Sequence, residues 1–296
     1  MVIAAHAGQV MTHGLAIILG TVLRLLDARA GSQAEVRPAR AGLLRVCAYV
    51  PAVSGETDIT GLRVLLVADV LGRAAETHEL QALTAFVFAG EASAQAAAFE
   101  RAAEALGVHP PVAYGGVREA QASLGGPLDV HLVSDGADAD AGRGGVVARV
   151  GAAHLRRADG QGGARAGEVL AGQGNDPLAV RLALISVPYH QPADLTEGML
   201  ASAQETVVRW RRQVAGWAES PSRPVPARIA QMLWSAFGDL DTVSALAALR
   251  DLALDAGIPA GAKFETFLSA DRVLGLDLPR DIGRTGGGLS ALGALG

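Results

Sequence analysis

The strongest constraint on this chain is an alternation of apolar runs in its first half. "LLRVCAYV" (Leu43 to Val50) has the length and composition of a buried strand, and "ITGLRVLLVADVLGRAAE" (Ile59 to Glu76) reads as the helix that follows it. "LTAFVF" (Leu83 to Phe88) is a second strand-like run. "EASAQAAAFERAAEALG" (Glu91 to Gly107) is a helix of high alanine propensity closed by a glycine, and "LDVHLVS" (Leu128 to Ser134) is a third strand. Strands that alternate with helices build a parallel sheet, because each parallel crossover must return over a face of the sheet. The order predicts a doubly wound α/β half, and ligands of such sheets bind outside the carboxyl ends of the strands.

Two Gly/Asp-rich stretches follow, "DGADADAGRGG" (Asp135 to Gly145) and "ADGQGGARAG" (Ala158 to Gly167), and both read as loops. Beyond them the pattern turns purely helical. Asp176 can cap a helix whose first turn suits Pro177. That helix carries Arg181 inside an otherwise apolar run, and a buried guanidinium requires a partner. Pro188 breaks the run ahead of Tyr189 and His190, and Thr196 can cap the next helix. In that helix Met199, Ala203, Val207, Trp210, Val214 and Trp217 recur at spacings of three or four and form one apolar stripe, with Arg209, Arg211 and Arg212 off it. After the Pro-rich connector "SPSRPVP" (Ser220 to Pro226), another helix is expected from near Asp241 to Gly257. The expected organisation is an α/β domain over residues 1–172, a helical bundle over 173–284 and a tail over 285–296.

Composition narrows the function classes. The 296 residues suffice for one large or two ordinary domains. Net charge is −5 and Lys263 is the only lysine, so the chain lacks the basic footprint of a nucleic-acid binder, apart from a local patch around Arg209, Arg211 and Arg212. A lone cysteine, Cys47, excludes a disulfide framework within the chain, and the sequence shows neither a signal peptide nor an apolar run of membrane-spanning length. A cytoplasmic protein with no membrane association is expected.

Several segments are similar, in order, to one family. The junction "DPLAVRLALIS" resembles the "D-x-x-A-x-R-L-A-L-L" of cysteinyl-tRNA synthetases and the related mycothiol cysteine ligases, where a "HYR" element stands in place of "PYH" here. "ITGLRVLLVADVL" resembles the helix after the family's nucleotide signature, "LGVHPPVAYGGVRE" its "L-x-V-x-P-P-x-x-Y-V-G-A-V-E" turn, and "DLDTVSALAAL" a late "DLDTPAALAAL" segment. "VLRLLDARAGSQAEVRPARAGLLRVCAYV" looks like the entry strand, ending at the family's metal-binding cysteine, here Cys47. The resemblance runs from about Val22 to about Asp255, closest to the mycothiol ligase. It implies a Rossmann-like parallel sheet of the class I synthetase type followed by a helical bundle.

The departures from the family pattern bear on activity. Aligned through Asp69, the H-I-G-H signature is replaced by "DITG" (Asp58 to Gly61). Both histidines are gone, and Asp58 stands where donors should meet the α-phosphate. The K-M-S-K-S position falls on Gly162 to Ala166, where Arg165 is the only charge. Of the family's zinc ligands only Cys47 has a counterpart, and a catalytic zinc needs three protein ligands. The resemblance therefore implies no cofactor, neither ATP nor zinc. His131 occupies the histidine of the family's "IDIHGGG-x-D-L" segment, with Asp135 near its acidic position. Asp58, His131 and Tyr49 are the candidate catalytic residues; Cys47, Glu56, Gly61, Asp135, Arg165 and Tyr189 are candidate ligand contacts. The leading expectation is a cysteine-ligase relative that has lost adenylation and keeps its pocket for a cysteine-like or aminosugar-like small molecule in thiol or natural-product metabolism. A still-active ATP-dependent cysteine–amine ligase and a non-catalytic pseudoenzyme with a protein partner are the alternatives, and tRNA is the least expected ligand.

Overall fold

A computed structural model describes residues 22–50, 59–88, 93–134, 144–156 and 176–284. Seven strands form the main sheet: β1 (Arg24–Asp27), β2 (Ser32–Glu35), β3 (Leu43–Val50), β4 (Gln81–Phe88), β5 (Ala113–Gly115), β6 (Val130–Ser134) and β7 (Val146–Val150), in the spatial order β2-β1-β7-β6-β3-β4-β5. Strands β3 to β7 run parallel, and β1 and β2 make an antiparallel hairpin at one edge. Helix α1 (Ile59–Thr77) links β3 to β4, α2 (Ser93–Ala105) links β4 to β5, and α3 (Val117–Leu124) links β5 to β6. From β3 the chain steps outward to β5, then returns past β3 to lay down β6 and β7. The strand order thus reverses between β3 and β6, and that crevice is the switch point where open α/β sheets bind ligands. The expected doubly wound parallel sheet is present.

The alternation of side chains along each strand gives the sheet two different faces. Leu44, Val46, Ala48 and Val50 of β3, Phe86 and Phe88 of β4, and Val130 and Leu132 of β6 enter the main core with α1 and α2. Cys47, with Ala85 and Val87 of β4, packs on the other face against Ala120 and Leu124 of α3. Helix α1 is buried nearly all round, Arg63 and Asp69 included. A helix buried on all sides has no clean amphipathic period, which is why it reads as one continuous apolar run.

The second half contains α4 (Pro177–Ile185), α5 (Glu197–Trp217), α6 (Ala227–Gly238), α7 (Thr242–Leu254), α8 (Ala260–Leu274) and a short 3₁₀ turn (Leu278–Asp281). The expected caps form: the Asp176 carboxylate accepts from the Leu178 N–H at 2.9 Å and the Thr196 hydroxyl from the Met199 N–H at 3.2 Å. The apolar stripe of α5 meets α8, where Trp210 and Trp217 both contact the Phe267 ring edge-on. The expectation of a purely helical second half needs correction. Strand β9 (Ala193–Thr196) pairs in parallel with β8 (Ala153–Arg156) in a separate two-stranded sheet. Its inward residues, Ala193 and Leu195, are too few to display a period in the sequence.

Arg211 also departs from expectation. It is buried, paired to Asp176, and donates to the carbonyls of Leu276 and Asp277, so it closes the bundle instead of joining a basic patch. Arg209 and Arg212 remain exposed. Residues 172–175 of the expected boundary, the loop 158–167, most of the loop 135–145 and the tail 285–296 lie outside the described residues. Among the described residues no helix is long and apolar enough to cross a membrane.

Candidate functional site

Strands β3 and β6, the pair flanking the switch point, place Cys47 directly beside His131 and Tyr49 beside Val133. Pleating turns Cys47, Tyr49 and His131 toward the same face, the one covered by α3. The Tyr49 hydroxyl lies 2.9 Å from His131 Nδ1, and the two rings stack with centroids 5.8 Å apart. His131 Nε2 lies 3.0 Å from the carbonyl oxygen of Gly144, two residues ahead of β7. His131 and Cys47 are buried, while Tyr49 is half-buried and is the member of the group that reaches outward. Three of the nine candidate residues are therefore brought together on neighbouring strands.

The remaining candidates divide. Asp58, Glu56, Asp135 and Arg165 lie outside the described residues. Gly61 is in the first turn of α1, where a Cβ atom would come within 2.7 Å of two Phe99 ring carbons and 3.0 Å of Val50 Cγ1. Phe99, from α2, is fully buried and packs on Phe88 with ring centroids 5.6 Å apart. Beside it, the Thr60 hydroxyl is tied to the backbone of Ala153 in β8. The first turn of α1, where a doubly wound fold presents N–H groups to phosphate, is thus built for close helix packing.

Tyr189 does not belong with Tyr49 and His131. It sits on the α1 face, in the main core, and its hydroxyl accepts from the Leu26 N–H at 2.8 Å. Burial pushes its phenol above the ordinary range, against the smaller opposing effect of that hydrogen bond. Its hydroxyl thus faces β1, not β3.

The partner demanded by Arg181 is Asp69. Arg181 Nη2 donates to Asp69 Oδ2 at 2.7 Å with both side chains fully buried, and its other nitrogens reach the carbonyls of Leu274 at 2.5 Å and Leu106 at 3.0 Å. Arg73 and His109 also bond to Asp69. Burial by itself raises the Asp69 carboxyl; the His109 hydrogen bond and the charges of Arg181 and Arg73 outweigh it, leaving the group well below the usual carboxylate range. Gly275 serves this contact: its φ of +63° ends α8, and a Cβ there would stand 2.8 Å from Arg181 Nη2. A second arginine, Arg63, is buried in α1 and donates to the carbonyls of Gly151, Pro188 and Gln191, tying α1 to the β8–β9 region. A charged residue inside an otherwise apolar helix is the available sequence signal for both arginines and for Asp69.

An open groove of about 750 Å³ lies at the seam between α1, α2, α4 and α8, away from Tyr49 and His131. Its charged groups are largely satisfied within the protein: Arg73 by Asp69 and the Gly107 carbonyl, Arg280 by Asp176 and Asp277. This opening thus coincides with structural ion pairs, and none of the nine candidate residues lines it. Among the described residues no group of three His, Cys, Asp or Glu side chains could hold a metal ion.

Comparison with known proteins supplies relatives over part of the chain. The L-cysteine:1D-myo-inositol 2-amino-2-deoxy-alpha-D-glucopyranoside ligase of Segniliparus rotundus is 36% identical over 110 residues, 36% of this chain and 26% of that protein. The cysteine–tRNA ligase of Paracoccus denitrificans is 35% identical over 102 residues, 33% of this chain and 21% of that protein. The chain thus matches about a quarter of the length of these curated relatives. The arginyl-tRNA synthetase of Thermus thermophilus superposes over 90% of this chain and 84% of that chain, at 10% identity and a TM-score of 0.45. No protein-family model matches the sequence.

Proposed function

We propose that this chain is a cytoplasmic, divergent relative of the cysteine ligases that no longer activates an amino acid with ATP. Its α/β half keeps a small-molecule pocket at the switch point around Tyr49 and His131, and its second half, from about residue 173, is a supporting bundle. The ligand is cysteine-like or aminosugar-like, the two chemistries joined in the name of the Segniliparus rotundus ligase. The observation that carries the loss of adenylation is the contact at Gly61. A histidine side chain at this position would require the buried Phe99 ring to shift, because its Cβ would stand 2.7 Å from two of the ring carbons. The helix terminus that would donate to a triphosphate is instead packed against α2 and β8.

Removing one strong donor to a developing oxyanion costs about 10²–10³ in rate, and the resemblance assigns this chain the loss of several. Cysteine-dependent exchange of labelled pyrophosphate into ATP, run with and without glucosaminyl-inositol, tests the reading. Exchange more than about a hundredfold below that of an intact ligase is expected on these donor losses. Exchange close to the intact level refutes it and favours the still-active ligase, and its loss in Arg165→Ala would identify the surviving phosphate contact.

A further inference from the structure

We infer that the groove between α1, α2, α4 and α8, together with His109 beside it, is a second small-molecule site, which takes a hydroxyl-rich amine through acceptors at His109 Nε2 and the Glu104 carboxylate. His109 lies in the turn that leads into β5, at the amino ends of the parallel strands, whereas Tyr49 lies near the carboxyl end of β3. The inference goes beyond the pocket proposed above and stands on different residues.

The buried Asp69 carboxylate fixes the histidine. Its Oδ2 accepts from Arg73 Nε at 2.8 Å and from Arg181 Nη2 at 2.7 Å, so the group is ionised and can only accept. Its Oδ1 takes the His109 backbone N–H at 2.9 Å and stands 3.0 Å from His109 Nδ1, which places a proton on that nitrogen. In a neutral imidazole the lone pair is then on Nε2. The side chain is 64% exposed, and no described residue bonds to Nε2. Pro110 and Pro111 follow His109 and stiffen the backbone that carries the ring.

Gly107 and Arg73 line the groove, so its near wall is two residues and one shared carboxylate away from His109. A volume of about 750 Å³ is that of a small-molecule site. The polarity of the walls selects the ligand. The Arg73 guanidinium is tied to Asp69 and the Gly107 carbonyl, and that of Arg280 to Asp176 and Asp277, so both are already committed. Glu104, on the same wall as Gly107, is exposed, and no described residue bonds to its carboxylate. Since no three metal-ligating side chains come together among the described residues, Nε2 is left for a hydrogen bond. An uncommitted carboxylate and an imidazole lone pair both require donors, an ammonium at Glu104 and a hydroxyl at Nε2. Sites built around committed acceptors discriminate strongly, because the wrong ligand leaves a polar group unpaired.

Glucamine, glucitol and gluconate share a polyol chain and differ at one end, which is an ammonium, a hydroxyl or a carboxylate. Full-length protein with ¹⁵N-labelled histidine, assigned with His109→Asn and His131→Asn, reports tautomer and binding by long-range ¹H–¹⁵N correlation. The measurement is made at about pH 8, where an imidazole is ordinarily neutral and an alkylammonium keeps its proton. The expected result is a His109 ring protonated at Nδ1 and perturbed by glucamine at a concentration about tenfold lower than by glucitol, the worth of one charge-assisted contact, with gluconate weakest. Glu104→Gln should keep the tautomer and bring glucamine down to the glucitol level. A ring protonated at Nε2, an equal or reversed ranking, or a glucamine preference unchanged in Glu104→Gln overturns the inference. No response of His109 to any of the three overturns it as well, and leaves the ring a structural partner of Asp69. His131 is read in the same spectra, so failure of this site is distinguished from failure of the pocket proposed above.

Discussion

At the scale of single residues, Asp69 and Arg181 decide more than their number suggests. A guanidinium and a carboxylate that are both fully buried have given up their hydration, and the attraction between them offsets part of that cost. Asp69→Asn should cost about 3–5 kcal/mol in urea denaturation, because it removes the carboxylate that directly pairs with the buried Arg181. Replacing both residues with apolar ones of similar size should cost much less than the two single changes summed. The pH dependence has a definite sign. The folded-state pKa of Asp69 is depressed, so its contribution is complete above the ordinary carboxylate value of about 4 and fades as pH falls below it toward the folded-state value. The stability gap between the native protein and Asp69→Asn should accordingly be flat from pH 7 to pH 5 and narrow in stronger acid. A gap that widens on acidification would mean that some other group dominates. The sequence disclosed the arginine, since a charge inside "PLAVRLALI" is conspicuous, but not its partner, which is 112 positions away and becomes adjacent only when α1 and α4 pack.

At the scale of elements, the contact between α1 and α2 turns a usual rule around. A glycine inside a helix ordinarily loses about 1 kcal/mol relative to alanine, so Gly61→Ala should stabilise an isolated α1. In the folded protein the new methyl group meets the wedged Phe99 ring, and overpacking costs about 1–3 kcal/mol. The net effect expected is a loss of stability in Gly61→Ala and a neutral or favourable effect of the same change in a Phe99→Leu background. An unconditional gain in stability would show that Phe99 yields freely and would weaken the case that a larger residue is barred there. These elements were legible to different degrees for physical reasons. Strand β3 begins and ends where its apolar run does, because a central strand is buried on both faces. Strands β5, β8 and β9, of three or four residues, hold too few side chains for a period. The hairpin β1–β2 lay hidden in a segment that resemblance had suggested was a single entry strand. The candidate site divided similarly: alternation along β3 and β6 could align Cys47, Tyr49 and His131, whereas nothing in the local sequence could say that Tyr189 would face β1.

At the scale of the whole molecule, the apparent division into a sheet half and a helical half coexists with one continuous core. The main hydrophobic cluster runs from Leu25 of β1 and Val46 of β3 through α1 to Trp210 of α5, Phe237 of α6, Leu249 of α7 and Phe267 of α8. Arg181 fastens the carboxyl ends of α2 and α8 to Asp69 of α1, and Thr242 of α7 donates to the Ile185 carbonyl of α4. Elements that share a core and a buried ion pair cannot lose one side without exposing the other, and such coupling makes unfolding all-or-none. All three tryptophans, Trp210, Trp217 and Trp234, lie in the helical half, so their fluorescence reports on that half alone, while far-ultraviolet circular dichroism reports on both. In urea the two signals should fall together, with one midpoint and one slope. In Asp69→Asn they should still coincide at a lower midpoint, because the shared apolar core remains when the ion pair is gone. Separate midpoints in the native protein would establish two independently stable domains divided near residue 173, and would assign Asp69 and Arg181 to an interface between them in place of a common core.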